Sequence, residues 1–367
     1  MAVFDDARGG QRAFRENWYV VGLADPASFY DVLSNSAINA AKLLNDKSAE
    51  KDMLWFHSQA LQSVHDRLSD SEQATGEGIL GTVTGLICHA GIRGDWTRWR
   101  THMDGIQRII NLRGGIETLY HNKELMWTIY WVDISAAASQ DIPPTFPFPY
   151  ELPQLPVNNA SLYHGLRELS KIRSTCCVDS EVWQLIDVFA DFLDRLRRDV
   201  ANDGPRTWER TDYMYTDLLP LLHRLLWQQK KTESCEQILL AELLRLGMLL
   251  CLSQLRRDFG VHPVYSGVPV AKLRNCISRN QDSNAHFLEP IFSWVLVMGL
   301  IEAVDVGTRE WYLGQIESNV LSGSPAIPAT KPEIVRSVSQ FLWLDASHGP
   351  LLHAILEDRA RNSKFYS

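Results

Sequence analysis

Apolar residues recur at steps of three and four along most of this chain, and this spacing predicts helices almost throughout. The runs that follow the pattern cover residues 36–45, 51–68, 79–90, 98–112, 124–138, 161–172, 182–200, 212–227, 236–259 and 287–304. Alternation of single apolar and polar residues, which is typical of half-buried strands, is scarce. The pattern therefore predicts an all-α fold, a large multi-helix array without a convincing internal repeat.

The stretch from Trp96 to Gly115 gives the best-marked helix of the chain. Its apolar stripe consists of Trp99, Met103, Ile106 and Ile110, which follow one another at steps of four, three and four. Gly114 is predicted to adopt the left-handed conformation that ends many helices, with Gly115 after it. Arg113 then places a positive charge beside the negative end of the helix dipole. These residues predict both the helix and its stop.

Gly105 lies in the middle of the same helix. A glycine there costs roughly 1 kcal/mol relative to alanine, so we expect another helix to approach closely at this point. The same face carries His102 and Ile109. For His102 we favour helix packing with a satisfied hydrogen bond over a catalytic role.

Six prolines between Pro143 and Pro156 interrupt the helical pattern, because proline lacks the N–H group that a helix interior requires. We predict an N-terminal helical half at residues 1–142, a proline-rich crossover at 143–160 and a C-terminal helical half at 161–367. The crossover is interpreted either as an ordered extended segment or as a mobile lid. The two halves are interpreted as parts of one continuous domain.

The cysteines are scattered and contain no Cys-x-x-Cys pair; they are Cys88, Cys176, Cys177, Cys235, Cys251 and Cys276. Structural zinc sites are built from closely spaced ligand pairs, so this sequence contains no zinc cluster. Dispersed thiols are typical of reduced intracellular proteins. For the neighbours Cys176 and Cys177 we favour plain thiols over a redox switch, since a disulfide between adjacent residues is strained. No cofactor is predicted.

Charge and hydropathy exclude two classes of partner. The chain has 36 Lys plus Arg against 44 Asp plus Glu, a formal net charge of −8, whereas nucleic-acid affinity depends on cations that neutralise phosphates. Three arginines from Arg93 to Arg100 are interleaved with tryptophans, but we favour core packing there over nucleic-acid contact. The first thirty residues show no export signal. The apolar run Ile291–Ile301 is too short to cross a membrane.

The sequence offers one arrangement that an enzyme could use. Asp187, Asp191 and Asp194 fall on one helical face and could in principle hold magnesium. Arg195 and Arg198 follow at the spacing of ordinary ion pairs, and we favour that interpretation. No phosphate-binding loop, nucleophile elbow or His-Glu-x-x-His motif is present. We therefore predict no catalytic and no metal-binding residue, and keep a metal-dependent helical enzyme as the alternative.

Twelve tryptophans give the chain large apolar surfaces. Trp127, Trp131, Trp294 and Trp311 could line a small-molecule pocket between helices. We favour core packing for them, which is the commoner role of tryptophan in helical arrays.

The block from Trp96 to Gly115 resembles the signature of the fungal-specific transcription factor domain, the regulatory region behind the zinc binuclear cluster of many fungal regulators. Two further blocks follow in the family's order. Trp127, Trp131 and Asp133 precede the prolines that start at Pro143, and the late helix carries Trp294, Gly299 and Glu302. The opening from Asp25 to Leu44 is also similar to the family's first helices, so the resemblance covers most of the chain.

The resemblance implies an effector-sensing or dimerisation domain that regulates transcription, supplied here without the cysteine-rich DNA-binding module. It implies a homo- or heterodimer with a transcription factor, a small-molecule effector, and no direct nucleic-acid or membrane binding by this chain. It places the chain in the nucleus, with the cytoplasm as the alternative. The alternative function does not come from the resemblance; it is a metal-dependent small-molecule enzyme of secondary metabolism with its chemistry at Asp187, Asp191 and Asp194. The signature residues, which it makes architectural, are Trp99, His102, Gly105, Arg113, Gly114, Gly115, Asp133, Trp294, Gly299 and Glu302.

Overall fold

The computed structural model describes residues 9–44, 47–149, 180–227, 236–279, 289–320, 331–339 and 341–363. Within these ranges the chain forms helices joined by turns, and none of the described residues lies in a strand. The predicted all-α fold is confirmed. None of the described helices combines the length and the apolar character that a membrane span requires.

The first six helices are α1 (Gly9–Ala24), α2 (Pro26–Leu44), α3 (Lys47–Leu68), α4 (Glu77–Arg93), α5 (Trp96–Arg113) and α6 (Lys123–Gln140). The others are α7 (Ser180–Asp203), α8 (Leu219–Trp227), α9 (Glu236–Asp258), α10 (Gly267–Arg279), α11 (Glu289–Glu302), α12 (Val306–Val320), α13 (Lys331–Val338) and α14 (Asp345–Ser363). Short 3-10 segments span Ile116–Leu119 and Gly204–Glu209, and a π-helical turn spans Met214–Leu218.

The predicted helices within the described ranges coincide with α2 to α9 and α11, whereas α1, α10, α12, α13 and α14 were not predicted. Helices α10 and α13 do carry apolar residues at steps of three and four, such as Val270, Leu273 and Ile277, but over only 13 and 8 residues, and α14 contains Pro350. Such helices owe their stability to tertiary packing more than to their own sequence. The run predicted at 161–172 lies outside the described residues.

The chain divides into two compact units. The N-terminal unit comprises the described parts of Gln11–Ala137 and Pro144–Glu151, and the C-terminal unit those of Met1–Gly10, Ala138–Pro143 and Leu152–Ser367. In the N-terminal unit α2 packs against α3 and α4, and α4 packs against α5. In the C-terminal unit α11 packs against α9, α12 and α13. Trp294 of α11 is fully buried there.

Helix α5 ends as its sequence predicts. Gly114 has a φ of 101°, and its N–H donates to the carbonyl of Asn111. The N–H of Gly115 donates to the carbonyl of Ile110 at 3.0 Å, and these two bonds together form a Schellman motif. Gly115 also has a positive φ, 114°. Two successive residues thus adopt a backbone conformation that side chains disfavour, which explains the double glycine.

The prediction for Gly105 is wrong. A Cβ atom built on Gly105 meets nothing within 4 Å, so no other helix approaches closely at this point. The close approach in this unit occurs instead at Gly85 of α4, where an added Cβ would lie 2.4 Å from the Cβ of Asp31. The packing that we expected from one glycine is provided by another.

These two glycines predict opposite effects of the same substitution. Gly105→Ala should raise the free energy of unfolding by up to about 1 kcal/mol, because alanine is the better helix former and meets no neighbour. Gly114→Ala should lower the free energy of unfolding by about 1–2 kcal/mol, because alanine disfavours a positive φ. Urea unfolding of both variants measures the difference. If Gly105→Ala is instead less stable than the wild type, another helix does approach closely at Gly105, as the sequence predicted.

Candidate functional site

Arg113 connects the end of α5 to two neighbouring segments of the N-terminal unit. Its guanidinium donates to the carbonyl oxygen of Thr75, just before α4. The same side chain donates to Thr118 Oγ1 at 3.4 Å and lies 3.5 Å from Glu77 Oε1. Glu77 in turn accepts a hydrogen bond from Asn122 Nδ2 at 2.7 Å. Arg113 therefore does more than complement the helix dipole, since it holds the start of α4 and the turn after Gly115 together.

Asp133 of α6 holds the start of the proline-rich segment. Its fully buried carboxylate accepts hydrogen bonds from the backbone N–H groups of Thr145, at 2.8 and 3.0 Å, and of Phe146, at 3.0 Å. Tyr130 donates its hydroxyl proton to the carbonyl of Pro147 at 2.6 Å. Residues 143–149 are not helical and bend at Thr145 and Phe146, and the remainder of the predicted crossover, 150–160, lies outside the described residues.

The late signature block is architectural within the C-terminal unit. Trp294 donates its indole N–H to the carbonyl of Leu342 at 2.7 Å. A Cβ added to Gly299 would lie 2.4 Å from the ring of Tyr312, so the glycine is required for this close contact. Glu302 is buried and forms a two-point ion pair with Arg257, at 2.6 and 2.9 Å.

The tryptophans predicted as core or pocket residues have different surroundings. Trp131 and Trp294 are buried, whereas Trp127 and Trp311 are half-buried. Trp131 packs against Phe14 with ring centroids 5.2 Å apart. Core packing thus describes Trp131 and Trp294, and a pocket lined by these residues stays a prediction.

Two of the three carboxylates of α7 form ion pairs. Asp191 lies 3.4 Å from Arg195 Nε, as predicted, and Asp194 pairs with Arg197. The predicted partner of Asp194, Arg198, instead donates to its backbone carbonyl. Arg195 also reaches the buried carboxylate of Asp217. No group of three or more His, Cys, Asp or Glu side chains among the described residues is placed to hold a metal ion. The structure therefore gives no support to the metal-dependent alternative.

Among the described residues five carboxylates are buried, and Asp31 differs from the other four. Asp133 accepts backbone N–H groups, and Asp141, Asp217 and Glu302 each face an arginine. Asp31 is 0% exposed, and neither of its oxygen atoms has a hydrogen-bond partner. Burial raises the pKa of Asp31 well above its ordinary value of 3.8. Burial therefore favours the neutral form of the Asp31 carboxyl group.

Asn35 lies one turn after Asp31 on the same face of α2. It is 6% exposed, and its amide nitrogen and oxygen also lack partners within the described part of the chain. Residues four apart on a helix are neighbours, so the two side chains form one buried polar patch. Buried polar groups are almost always hydrogen-bonded, so four unsatisfied atoms on one face are an exception to the packing of this unit.

Three imidazoles from three helices come together beside this patch. We call His57 of α3, His89 of α4 and His102 of α5 the histidine cluster. The rings of His57 and His89 are stacked, with centroids 4.1 Å apart and an interplanar angle of 17°. Only Gly94 and Asp95 separate α4 from α5, and the two helices pack against each other, so the second turn of α5, which carries His102, lies alongside the last turns of α4, which carry His89.

Ser34 connects α2 to the histidine cluster and fixes one tautomer. Its hydroxyl donates to the carbonyl of Met53 at 3.2 Å and lies 3.3 Å from His89 Nδ1. Because the single hydroxyl proton is used by Met53, Nδ1 of a neutral His89 must carry the proton and donate to Ser34. Nε2 of His89 is then the ring atom left to accept a hydrogen bond.

Burial lowers the pKa of all three imidazoles. For His57 and His89 the repulsion by His102, Arg93 and Arg98 adds to burial, and the pKa of His89 falls to about 3. For His102 the repulsion by Arg98 is partly offset by Asp95. The cluster is therefore uncharged at neutral pH and lies in a region of positive potential.

The sequence identified His102 in this cluster but not its surroundings. We expected its hydrogen bond to be satisfied, whereas no hydrogen bond of its ring is found among the described residues. Trp99, one turn earlier, is buried with an unpartnered indole N–H, which the apolar stripe also did not indicate. The polar face of α2 carried a signal, since Asp31 and Asn35 are four residues apart among apolar neighbours.

The late signature predicts a matched pair of alanine variants. Gly299→Ala should lower the free energy of unfolding by about 2 kcal/mol or more, because its methyl group overlaps the buried ring of Tyr312. Gly314→Ala in α12 meets nothing within 4 Å and should be neutral or stabilising. Thermal melts of the two variants test this prediction. Equal melting temperatures would show that the contact between Gly299 and Tyr312 does not require a glycine in α11.

Asp31 predicts an unusual pH dependence of stability. The folded state favours its neutral form, so stability falls as pH rises from the ordinary pKa of 3.8 toward the raised value. Asp31→Asn should therefore be about 1–3 kcal/mol more stable than the wild type at pH 7, and the difference should vanish at low pH. Chemical unfolding at several pH values measures both effects.

Asp25 supplies the opposite control. Burial acts to raise its pKa, but hydrogen bonds from Arg67 and from the N–H groups of Ser28 and Ala27 outweigh burial and lower it. Asp25→Asn should therefore be less stable than the wild type above pH 4, with the gap closing as pH falls. If both variants respond to pH in the same direction, Asp31 is not a buried neutral acid.

Comparison with known families agrees with this geometry. The model of the family described as "Fungal specific transcription factor domain" matches residues 1–323. Searches of curated proteins and of solved structures gave no significant match. Most of the chain thus lies within one family match, which includes all three blocks that carry the resemblance. The chain belongs to the fungal-specific transcription factor domain family.

Proposed function

We propose that this chain is the regulatory domain of a fungal transcription regulator, and that it senses a small-molecule effector and dimerises. The family match over residues 1–323 carries the proposal, because this family is a regulatory domain of transcription factors. The nucleus is the compartment that follows from this role. DNA contact is assigned to a partner or to an attached module, since the chain has a formal net charge of −8.

The effector-sensing part of the proposal is supported by the N-terminal unit. Its buried polar patch, Asp31 and Asn35, lies next to three imidazoles that no carboxylate neutralises apart from the contribution of Asp95 to His102. Unsatisfied groups of this kind lower the stability of the ligand-free state. A ligand that forms hydrogen bonds with these groups binds one arrangement of the helices more tightly than another. This difference in affinity is what allows a sensor to respond to its ligand.

The dimerisation part is supported by an exposed stripe of α3. Leu54, Leu61 and Leu68 are 61%, 40% and 54% exposed and follow one another at steps of seven. A heptad spacing places the three leucines on one stripe of the helix, which is the pattern of a helix that pairs with another. We assign this stripe to a second copy of the chain.

An operator-occupancy assay tests the proposal. The chain is fused to a heterologous DNA-binding domain that occupies its operator only as a dimer, and reporter expression is measured. We expect the fusion, but not the DNA-binding domain alone, to occupy the operator. Leu61→Glu should weaken occupancy about tenfold, equivalent to about 1.4 kcal/mol. Leu112→Glu, at an isolated exposed position of α5, should leave it unchanged.

Two outcomes contradict the proposal. If the fusion never occupies the operator although its melting curve is normal, the domain does not dimerise. If the unfused chain retards one duplex sequence specifically in a gel-shift experiment at physiological salt, the chain itself contacts DNA. The second outcome is not expected for an acidic surface.

A further inference from the structure

The histidine cluster cannot be explained as ordinary core packing. Its three rings come from α3, α4 and α5, and Nδ1 of His57 is buried without a hydrogen-bond partner. Histidine is among the more costly residues to bury without partners, since each ring nitrogen must donate or accept a hydrogen bond. His89 satisfies its Nδ1 through Ser34, and the other side of its ring stacks on His57.

The charges that face the cluster are mostly positive. Arg93 ends α4 and Arg98 lies in the first turn of α5, and both act on His57 and His89. The acidic group that acts on the cluster is Asp95, which caps α5 and lies 3.4 Å from Arg98 Nε. From α2 the cluster meets the neutral hydroxyl of Ser34.

This charge pattern selects among ligands. A divalent cation would be repelled by two arginines, and the described residues provide no set of metal ligands here. A neutral ligand would leave the positive potential uncompensated. An anion would be attracted by the arginines and would accept hydrogen bonds from imidazole N–H groups, which become charged donors once an anion is present.

We propose that the histidine cluster, together with Arg98 and Arg93, binds the anionic group of a small molecule, a carboxylate or a phosphate ester. His57 and His102 donate to the anion, and Arg98 provides the fixed charge. The inference rests on the proposed effector-sensing function, because it names the chemical class of the effector. The bound anion links helices α3, α4 and α5. Among the described residues the His102 ring makes no hydrogen bond that could link them without the anion.

The sign of the pH dependence follows from the charges. Without a ligand the three imidazoles are neutral near pH 7, since burial and Arg98 oppose their protonation. An anion stabilises the protonated form, so proton uptake accompanies binding and affinity increases as pH falls. Asp95 opposes the anion by its own charge but also favours protonated His102, so it weakens this dependence without reversing it.

The test uses the full chain and two simple probes, inorganic phosphate and acetate, titrated at constant ionic strength set by sodium chloride. Ring nitrogen and carbon signals of the histidines are followed by NMR at pH 6.0 and 7.5. We expect saturable shifts of His57, His89 and His102, but not of His65, which is exposed on α3. Saturation by phosphate alone assigns a phosphate ester, and saturation by acetate alone assigns a carboxylate. Binding should be several-fold tighter at pH 6.0.

Matched variants make the test specific. Arg98→Gln and His102→Gln should weaken binding at least tenfold, whereas Arg108→Gln, an exposed arginine on the same helix, should change it less than twofold. Melting curves show whether each variant is folded. If His102→Gln does not fold, the affinity of Arg98→Gln alone tests the anion site. The proposal is overturned if neither probe saturates, if chloride gives the same shifts, or if Arg108→Gln weakens binding as much as Arg98→Gln.

This result can be separated from that of the proposed function. If the operator assay succeeds but neither probe binds, the anion site is wrong and the regulatory function stands. If the probes bind but the fusion never occupies the operator, the anion site stands and the dimerisation part of the proposed function is wrong.

Discussion

The structure depends on one constraint, that a carboxylate removed from water must be matched by a cation or by backbone N–H groups. In the C-terminal unit Asp141 is held by Arg245 at 2.7 and 3.0 Å, and Glu302 is held by Arg257. In the N-terminal unit Asp133 is held by the backbone of the proline-rich segment. The two arginine pairs join residues 104 and 45 positions apart, whereas Asp133 joins α6 to a segment 12 or 13 residues later. Loss of a partner in any of them would leave a buried charge unpaired.

Glycine sets a second constraint on the same packing. Where a helix must stop, as at Gly114, the backbone has a positive φ, and where two elements must approach, as at Gly299, a methyl group would overlap a ring. Gly105 meets neither condition. The family signature therefore combines residues with different roles, and only the three-dimensional environment of each residue separates them.

The sequence predicted most helices with regular apolar steps, since a continuous stripe is a local property that needs no partner. It missed α10, whose stripe of Val270, Leu273 and Ile277 belongs to a helix of only 13 residues. It did not predict α12, whose few apolar residues are organised by contacts such as Tyr312 with Gly299. It identified His102 through its place in the signature, but not the two imidazoles that it meets, because these lie on α3 and α4. Nor could it identify Asp31 as unmatched, because the absence of a partner depends on every neighbouring helix.

Asp31 and the histidine cluster both contain buried polar atoms without hydrogen-bond partners. Groups without partners raise the free energy of the ligand-free state, and this cost is recovered when a ligand or a rearranged helix supplies the partner. The free energy recovered is the coupling between the site and the helices around it. Because α2 to α5 all contribute, a ligand there would change the packing of α3, which carries the exposed leucines. In the proposed function, this packing of α3 is the step that couples the ligand to the partner.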